Sequence, residues 1–343
     1  MVEPLSSQFS CKQTYLNSAT AGLACDASVE AMRTDLSRWA DGQLDPIEYD
    51  HVVNRCRELF ASFVGASSDE VSIANQAATS IGLLAASLPS GARVLAVEED
   101  FTSVLFPLMA QQSRGVEVRL VPFEELVESV SPEFDWVVCS IVQSSNGKVA
   151  DLAGLSAAAK AADCRIFLDG TQSVGWMPVD RQHWDVLVCG AYKWLLSPRG
   201  TAFMAIKPDL MDDVTPINAN WYAGESPWDS IYGSPLRLAT SARRFDISPA
   251  WINWVGTLPA LELIASLGVD SIHRHNVGLG NDFCQRLGLP PSNSAIVSLS
   301  GIEDTQGLKD AGIAASIRGG SLRLSFHLYN GEKDVDAVVS AIT

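Results

Sequence analysis

Two stretches decide how this chain is read: Arg165-Ile-Phe-Leu-Asp169-Gly170-Thr171-Gln172 and Asp185-Val-Leu-Val-Cys-Gly190-Ala191-Tyr192-Lys193-Trp194. Each is a short apolar run that ends on a polar group. In the first, an aspartate and a glycine-containing turn follow the run. In the second, a lysine flanked by aromatics does. Runs that are apolar throughout suit the strands of a parallel sheet covered on both faces. Ligands of such sheets gather at the carboxyl ends of the strands. Asp169 and Lys193 are 24 residues apart, a spacing that allows two strand ends to lie side by side.

Outward from this pair, the same texture repeats. Apolar, β-branched runs occur at Val71–Ala74, Arg93–Val97, 116–121, 136–142, 165–168, 186–189 and Ala202–Ile206. Helical patterns fall between many of them, at 79–87, 102–112 and Leu152–Ala162. The alternation predicts an α/β domain with a mostly parallel, seven-stranded sheet. After about Lys207 the texture changes. Residues 211–233 are loop-like, and helices are predicted over 249–267, closing at Gly268, and over 271–287. Strands at 295–300, 313–317 and 322–326, a short helix at 305–311 and a last helix from Glu332 complete a smaller α+β domain. The predicted division is a large domain over 15–248 and a small one from 1–14 and 249–343.

The chain has 343 residues, 24 Lys+Arg against 40 Asp+Glu, and a formal net charge of −16. With 47% hydrophobic and 19% charged residues it is not a disordered composition. The negative balance argues against nucleic acid and anionic membrane surfaces as partners. No window reaches the ~18 apolar residues of a membrane helix, and the N-terminal stretch has no apolar run of signal-peptide length. The seven cysteines are scattered, with no CxxC. The expectation is a reduced, cytoplasmic protein. No metal set, Walker loop or GxSxG is present.

A strand-end lysine and a strand-end aspartate beside a helix N-terminus form a chemical set. The amine can form a Schiff base with an aldehyde cofactor. The carboxylate can pair with a pyridinium nitrogen, and the helix amides can hold a phosphate. Asn75-Gln-Ala-Ala-Thr79-Ser80, after the run Val71–Ala74, is the best phosphate cradle.

With these residues in view, the chain resembles the class V aminotransferase family of pyridoxal phosphate (PLP) enzymes, which includes cysteine desulfurases, isopenicillin N epimerase and kynureninase. The stretch FLDGTQSVGWMPVD…DVLVCGAYKWLLSPRGTAFMAI is similar to its cofactor-lysine signature. The likeness runs from Tyr15-Leu-Asn17-Ser-Ala to Leu322-Arg323-Leu-Ser-Phe-His-Leu-Tyr329-Asn330. It implies the fold type I architecture and a homodimer with a shared active site. It implies Lys193 as the Schiff-base lysine, Asp169 on the pyridine nitrogen, Gln172 near the ring's phenolic oxygen and Phe101 stacked on the ring. Ala78 and Thr79 fall on the phosphate turn, Tyr192 reaches the phosphate from beside the lysine, and Ser248 matches a hydroxyl sent across the dimer interface. Arg323 and Asn17 are the implied substrate contacts, Arg323 gripping the α-carboxylate.

The departures carry information too. Desulfurases place a nucleophilic cysteine on a loop upstream of the carboxylate arginine, yet 287–323 contains none, and Cys284 falls in a predicted helix. Phe101 and Tyr192 stand where desulfurases carry histidines, and Gly190 replaces a phosphate-binding serine. Because most of the resembled branch breaks a side-chain bond, the resemblance implies a C–S lyase acting on cysteine or a cysteine S-conjugate by β-elimination, and without the loop cysteine sulfur would leave directly. Transamination is the runner-up, epimerisation shares the same residues, and a non-catalytic PLP-fold scaffold is the remote alternative.

Overall fold

Seven strands form the central sheet: β1 (Val71–Ala74), β2 (Arg93–Val97), β3 (Glu117–Val121), β4 (Trp136–Ser140), β5 (Arg165–Asp169), β6 (Val186–Gly190) and β7 (Ala202–Ile206). The structure, a computed structural model, describes residues 6–302 and 305–343. The strand order is β1-β7-β6-β5-β4-β2-β3. β7 runs antiparallel to both its neighbours and all other pairings are parallel. The fold is the α/β, fold type I architecture expected from the sequence.

The continuous apolar runs have a direct cause. Along β6, Leu187 and Cys189 join one buried cluster while Val186 and Val188 join another. Along β7, Phe203 and Ala205 alternate in the same way with Met204 and Ile206. Successive side chains point to opposite faces, so a sheet with a core on each side needs apolar residues at every position. The first core takes in Phe60 from helix Glu48–Val64, Leu155 from Leu152–Ala162 and Trp254 from Trp251–Leu267. Phe60 stacks on Phe203 with centroids 4.3 Å apart, and Trp254 meets Phe203 edge-on at 5.3 Å. Full burial of each such side chain contributes about 1.5–3 kcal/mol. The opposite core lies under helices Ala77–Ser87 and Thr102–Met109.

A buried ion pair fixes β1 to the segment that follows β7. Arg57 Nη2 donates to Asp246 Oδ2 at 2.7 Å, and Asp246 Oδ1 accepts the Ile73 N–H at 2.8 Å. Helix Trp251–Leu267 ends where Gly268, at φ +77°, donates its N–H to Ile264 O. The helix core residues Trp254, Leu261 and Ile264 belong to the large-sheet cluster.

A third core, with Leu279, Phe283, Leu324, Phe326 and Val335, lies between helices Val269–Arg286 and Glu332–Ile342 and a small antiparallel sheet. That sheet orders Ser316–Arg318, Ser321–Ser325 and Ile296–Leu299. Its hairpin turns at Gly319 and Gly320, both with positive φ (54° and 74°), as a two-residue turn matching strand twist requires. The N-terminal segment is sewn in here: Thr14–Tyr15 pairs with Ile313–Ala314, and Asn17 bridges Ser325. The strand expected over 313–317 is therefore two short ones. Ala314 pairs with Tyr15, while Ser316 pairs with Arg323.

Candidate active site

β5 and β6 are neighbours, with Asp169 level with Val188. Their ends are stitched together. Gly170 N–H donates to Val188 O at 2.7 Å, and Gly190 N–H donates to Thr171 Oγ1 at 2.9 Å. Beyond β6 the chain folds into a tight turn in which Ser197 N–H donates to Ala191 O and Leu196 N–H to Lys193 O. Leu196 sits at φ +55°, an uncommon conformation for a branched residue, and one found where a site over-determines its backbone.

Lys193 projects from this turn and is 6% exposed. Its Nζ lies 5.5 Å from the Phe101 ring centroid and 5.6 Å from that of Tyr192, with no ion pair or hydrogen bond among the described residues. Burial pushes its pKa down to about 8; Asp169 opposes that shift, and Arg323 and Arg318 add to it. Asp169, also buried, is pushed upward by desolvation and held back by Thr171, whose N–H donates to Oδ1 at 2.8 Å.

Phe101 opens helix Thr102–Met109 and is anchored from behind by Asp100. Asp100 Oδ1 accepts the Phe101 N–H and Oδ2 the Ser140 N–H, each at 2.7 Å. The helix Ala77–Ser87 points its N-terminus at the same place. Its cap residue, Gln76, supplies no side-chain hydrogen bond, which leaves first-turn N–H groups available to an anion.

Of the residues singled out from the sequence, Lys193, Asp169, Gln172, Phe101, Ala78 and Tyr192 line one cavity. Thr79, Ser248, Asn17 and Arg323 do not. The Thr79 hydroxyl donates to Asn75 Oδ1 at 2.7 Å, and Ser248 is exposed on the segment that Asp246 ties to β1. A larger cavity of about 400 Å³ opens at the amino ends of the strands, between Leu88, Trp136 and Val214; its lining is mostly apolar and holds none of these residues.

Gln172 joins three parts of the chain: Nε2 donates to Ala19 O at 2.9 Å, and Oε1 accepts from Trp194 Nε1 at 2.8 Å. Gly22 N–H donates to Tyr192 O at 2.9 Å, and a Cβ at Gly22 would lie 2.1 Å from Lys193 O. His327, just past strand Ser321–Ser325, also holds the turn. Its Nε2 donates to Trp194 O at 3.1 Å and its Nδ1 accepts the Leu328 N–H, so the ring is neutral, and burial lowers its pKa to about 3.

Arg323 is 2% exposed and has no acid partner among the described residues. It donates to the carbonyl of Ser144, a cavity-lining residue, and to Thr20 Oγ1 at 2.7 Å. Burial, then Arg318, lower its pKa to about 10. Asn17 Oδ1 is buried without a hydrogen-bond partner. A buried guanidinium without a carboxylate among the described residues keeps charge-assisted donor capacity, and the buried Asn17 oxygen keeps acceptor capacity.

Sequence reasoning gave no role to Arg199, which lines the cavity with its Cζ 5.0 Å from the Tyr192 ring centroid and no acid partner among the described residues. It stands within the quoted motif, in Ser-Pro-Arg199-Gly, and an arginine inside a cofactor motif was the available signal. His327 likewise stands within the quoted stretch 322–330, whereas Thr20 had no such signal.

Residues 15–297 match the family described as aminotransferase class V. The chain belongs to that family. As a class V enzyme it depends on pyridoxal phosphate, and the site fits: an unpaired buried amine for the aldehyde, a buried carboxylate for the ring nitrogen and an uncapped helix for the phosphate. Among its relatives is the uncharacterized aminotransferase YcbU of Bacillus subtilis (strain 168), 27% identical over 308 residues, covering 83% of this chain and 82% of that protein. Isopenicillin N epimerase of Streptomyces clavuligerus is 24% identical over 337 residues, covering 84% and 83%. In fold, the chain is similar to the cystine C–S lyase C-DES, solved with its product cysteine persulfide, at a TM-score of 0.87 and 18% identity over 96% of this chain and 97% of that one.

Proposed function

We propose that this class V enzyme is a C–S lyase that cleaves cysteine or a cysteine S-conjugate by β-elimination. The observation that carries the reading is the pairing of a single buried, unpaired amine, Lys193, with a site that no cysteine thiol serves. Cys189 interacts electrostatically with Asp169 and Lys193, but burial holds its pKa well above the ordinary value. Only Cys11 is exposed, and it lies outside the cavity. Sulfur would therefore leave directly and not be relayed through the protein.

When bound, pyridoxal phosphate supplies an electron sink for the substrate α-carbon. Asp169 would hold the proton on its ring nitrogen, Phe101 and Gln172 would position the ring, and Ala78, Tyr192 and Arg199 would hold the phosphate. Arg323 would take the α-carboxylate, with Asn17 beside it. Lys193 Nζ, uncharged in useful amount near neutral pH, would take the α-proton. The C–S bond breaks with its electron pair on sulfur, which collects a proton as thiol or sulfide. Addition of water to the remaining fragment releases pyruvate and ammonia.

Ser248, exposed on its own subunit, supports a homodimer in which it reaches the partner's phosphate. The exposed Tyr232 and Leu236, 87% and 76% accessible, are apolar surface that such a contact would cover. Transamination is the second reading, favoured by the likeness to an aminotransferase over 83% of the chain.

Product analysis separates the two. With L-cysteine or S-alkyl cysteines the lyase reading expects pyruvate and ammonia in equal amounts. An absolute need for a keto-acid co-substrate, with no ammonia released, would assign the enzyme as an aminotransferase.

A further inference from the structure

The hairpin that carries Arg323 carries a second guanidinium on the same face. The register pairs Ser316 with Arg323 and Arg318 with Ser321. Cross-strand partners share a face and side chains alternate with period two, so Ser316, Arg318, Ser321 and Arg323 all lie on one side. The tight Gly319–Gly320 turn fixes that register.

Both arginines reach one hydroxyl. Thr20 Oγ1 accepts from Arg323 Nη2 at 2.7 Å and from Arg318 Nη2 at 3.4 Å, so the two nitrogens are no more than about 6 Å apart. Neither arginine has an acid partner among the described residues, in a chain where acids outnumber bases 40 to 24. Like charges brought together on a strand pair are unfavourable, and an exposed arginine at a hairpin end could turn to water instead. On the same face Ser316 Oγ is buried with no hydrogen-bond partner. Convergent cations, an unpaired hydroxyl and no carboxylate describe a site whose anion comes from outside.

We propose that Arg318 is a specificity-determining residue that binds a second, distal carboxylate, and that the substrate is a dicarboxylic amino acid such as a cysteine S-conjugate with an acidic sulfur substituent. This rests on the reading of Arg323 as the α-carboxylate receptor. Arg323, buried, takes the inner group, and Arg318, exposed at the hairpin tip, takes the outer one.

The test is calorimetric titration of the PLP-loaded protein with L-glutamate and with L-glutamine, which differ in the distal charge and carry no leaving group. A charge-assisted contact predicts glutamate binding tighter by about tenfold or more. In Arg318→Gln the glutamate-to-glutamine ratio falls to near one, and Arg318→Lys keeps part of it. Equal affinities in the wild type, or a preference that survives Arg318→Gln, overturn the proposal. Equal losses for both ligands in Arg318→Gln also overturn it, by making Arg318 a second grip on the α-carboxylate. L-alanine separates this failure from a wider one. If the wild type binds L-alanine but does not distinguish the acid from the amide, only the distal site falls. If it binds none of the three, the amino-acid site falls with it.

Discussion

Lys193 offers the sharpest quantitative prediction. Its surroundings lower its pKa from 10.5 to about 8. At pH 7 about a tenth of the amine is then uncharged, against roughly 0.03% for an unperturbed lysine, a gain of about 300-fold in the reactive form. The same shift is a stability statement. Between pH 8 and 10.5 the unfolded chain binds the proton and the folded one does not, so stability rises with pH across that window. Below pH 8 the cofactor-free protein carries a cost of about 3 kcal/mol from this group. The assay is an NMR titration of lysine-labelled cofactor-free protein, with Lys193 assigned by the Lys193→Met variant. We expect a midpoint near pH 8, moving down in Asp169→Asn and up in Arg323→Met. In denaturant melts Lys193→Met is more stable than wild type at pH 7, and the gain vanishes above pH 10.5. A midpoint at pH 10 or higher, or an upward shift in Asp169→Asn, refutes the reasoning.

Three further predictions address the frame around the amine. Gly22→Ala places a Cβ 2.1 Å from Lys193 O; overpacking of this kind costs about 1–3 kcal/mol, so we expect lower stability in denaturant and weaker PLP uptake, whereas wild-type values for both would contradict the close approach. Arg57→Met leaves buried Asp246 with only the Ile73 N–H and Arg243 at 3.9 Å, at a cost of up to about 3–5 kcal/mol, while Arg57→Met with Asp246→Leu recovers most of it; a single-variant loss below about 1 kcal/mol would count against the pair's structural role. Asp169→Asn keeps the shape but removes the charge, so we expect PLP to bind and turnover to fall by about 100-fold or more; near-normal turnover would remove Asp169 from the chemistry.

Legibility in the sequence followed the range over which each signal is made. The sheet strands were readable because β6 and β7 must be apolar at every position to serve two cores, and Asp169 and Lys193 because polar residues closing such runs stand out. Helix Asp26–Ala40 was not, since its buried positions include Ser28 and Asp35 and its apolar stripe is weak. The inner site is a product of tertiary convergence. Thr20, Ser144 and Arg323 meet through a hairpin, a loop and an N-terminal segment that are far apart in the chain. His327 acts through a single bond to Trp194 O that no local pattern announces. The charge of −16 is also clearer in the structure. Among the described residues, Lys193, Arg199, Arg318 and Arg323 have no acid partner other than the buried Asp169 near Lys193, although the chain as a whole is negative.

The central claim is that Lys193 carries the cofactor, and one measurement addresses it directly. The protein is loaded with pyridoxal phosphate, reduced with borohydride, digested and mapped by mass spectrometry. The account predicts a visible absorption band that borohydride abolishes and a pyridoxyl mass on the peptide containing Tyr192-Lys193-Trp194. A colourless protein that takes up no cofactor, or a label on any other lysine, would contradict it.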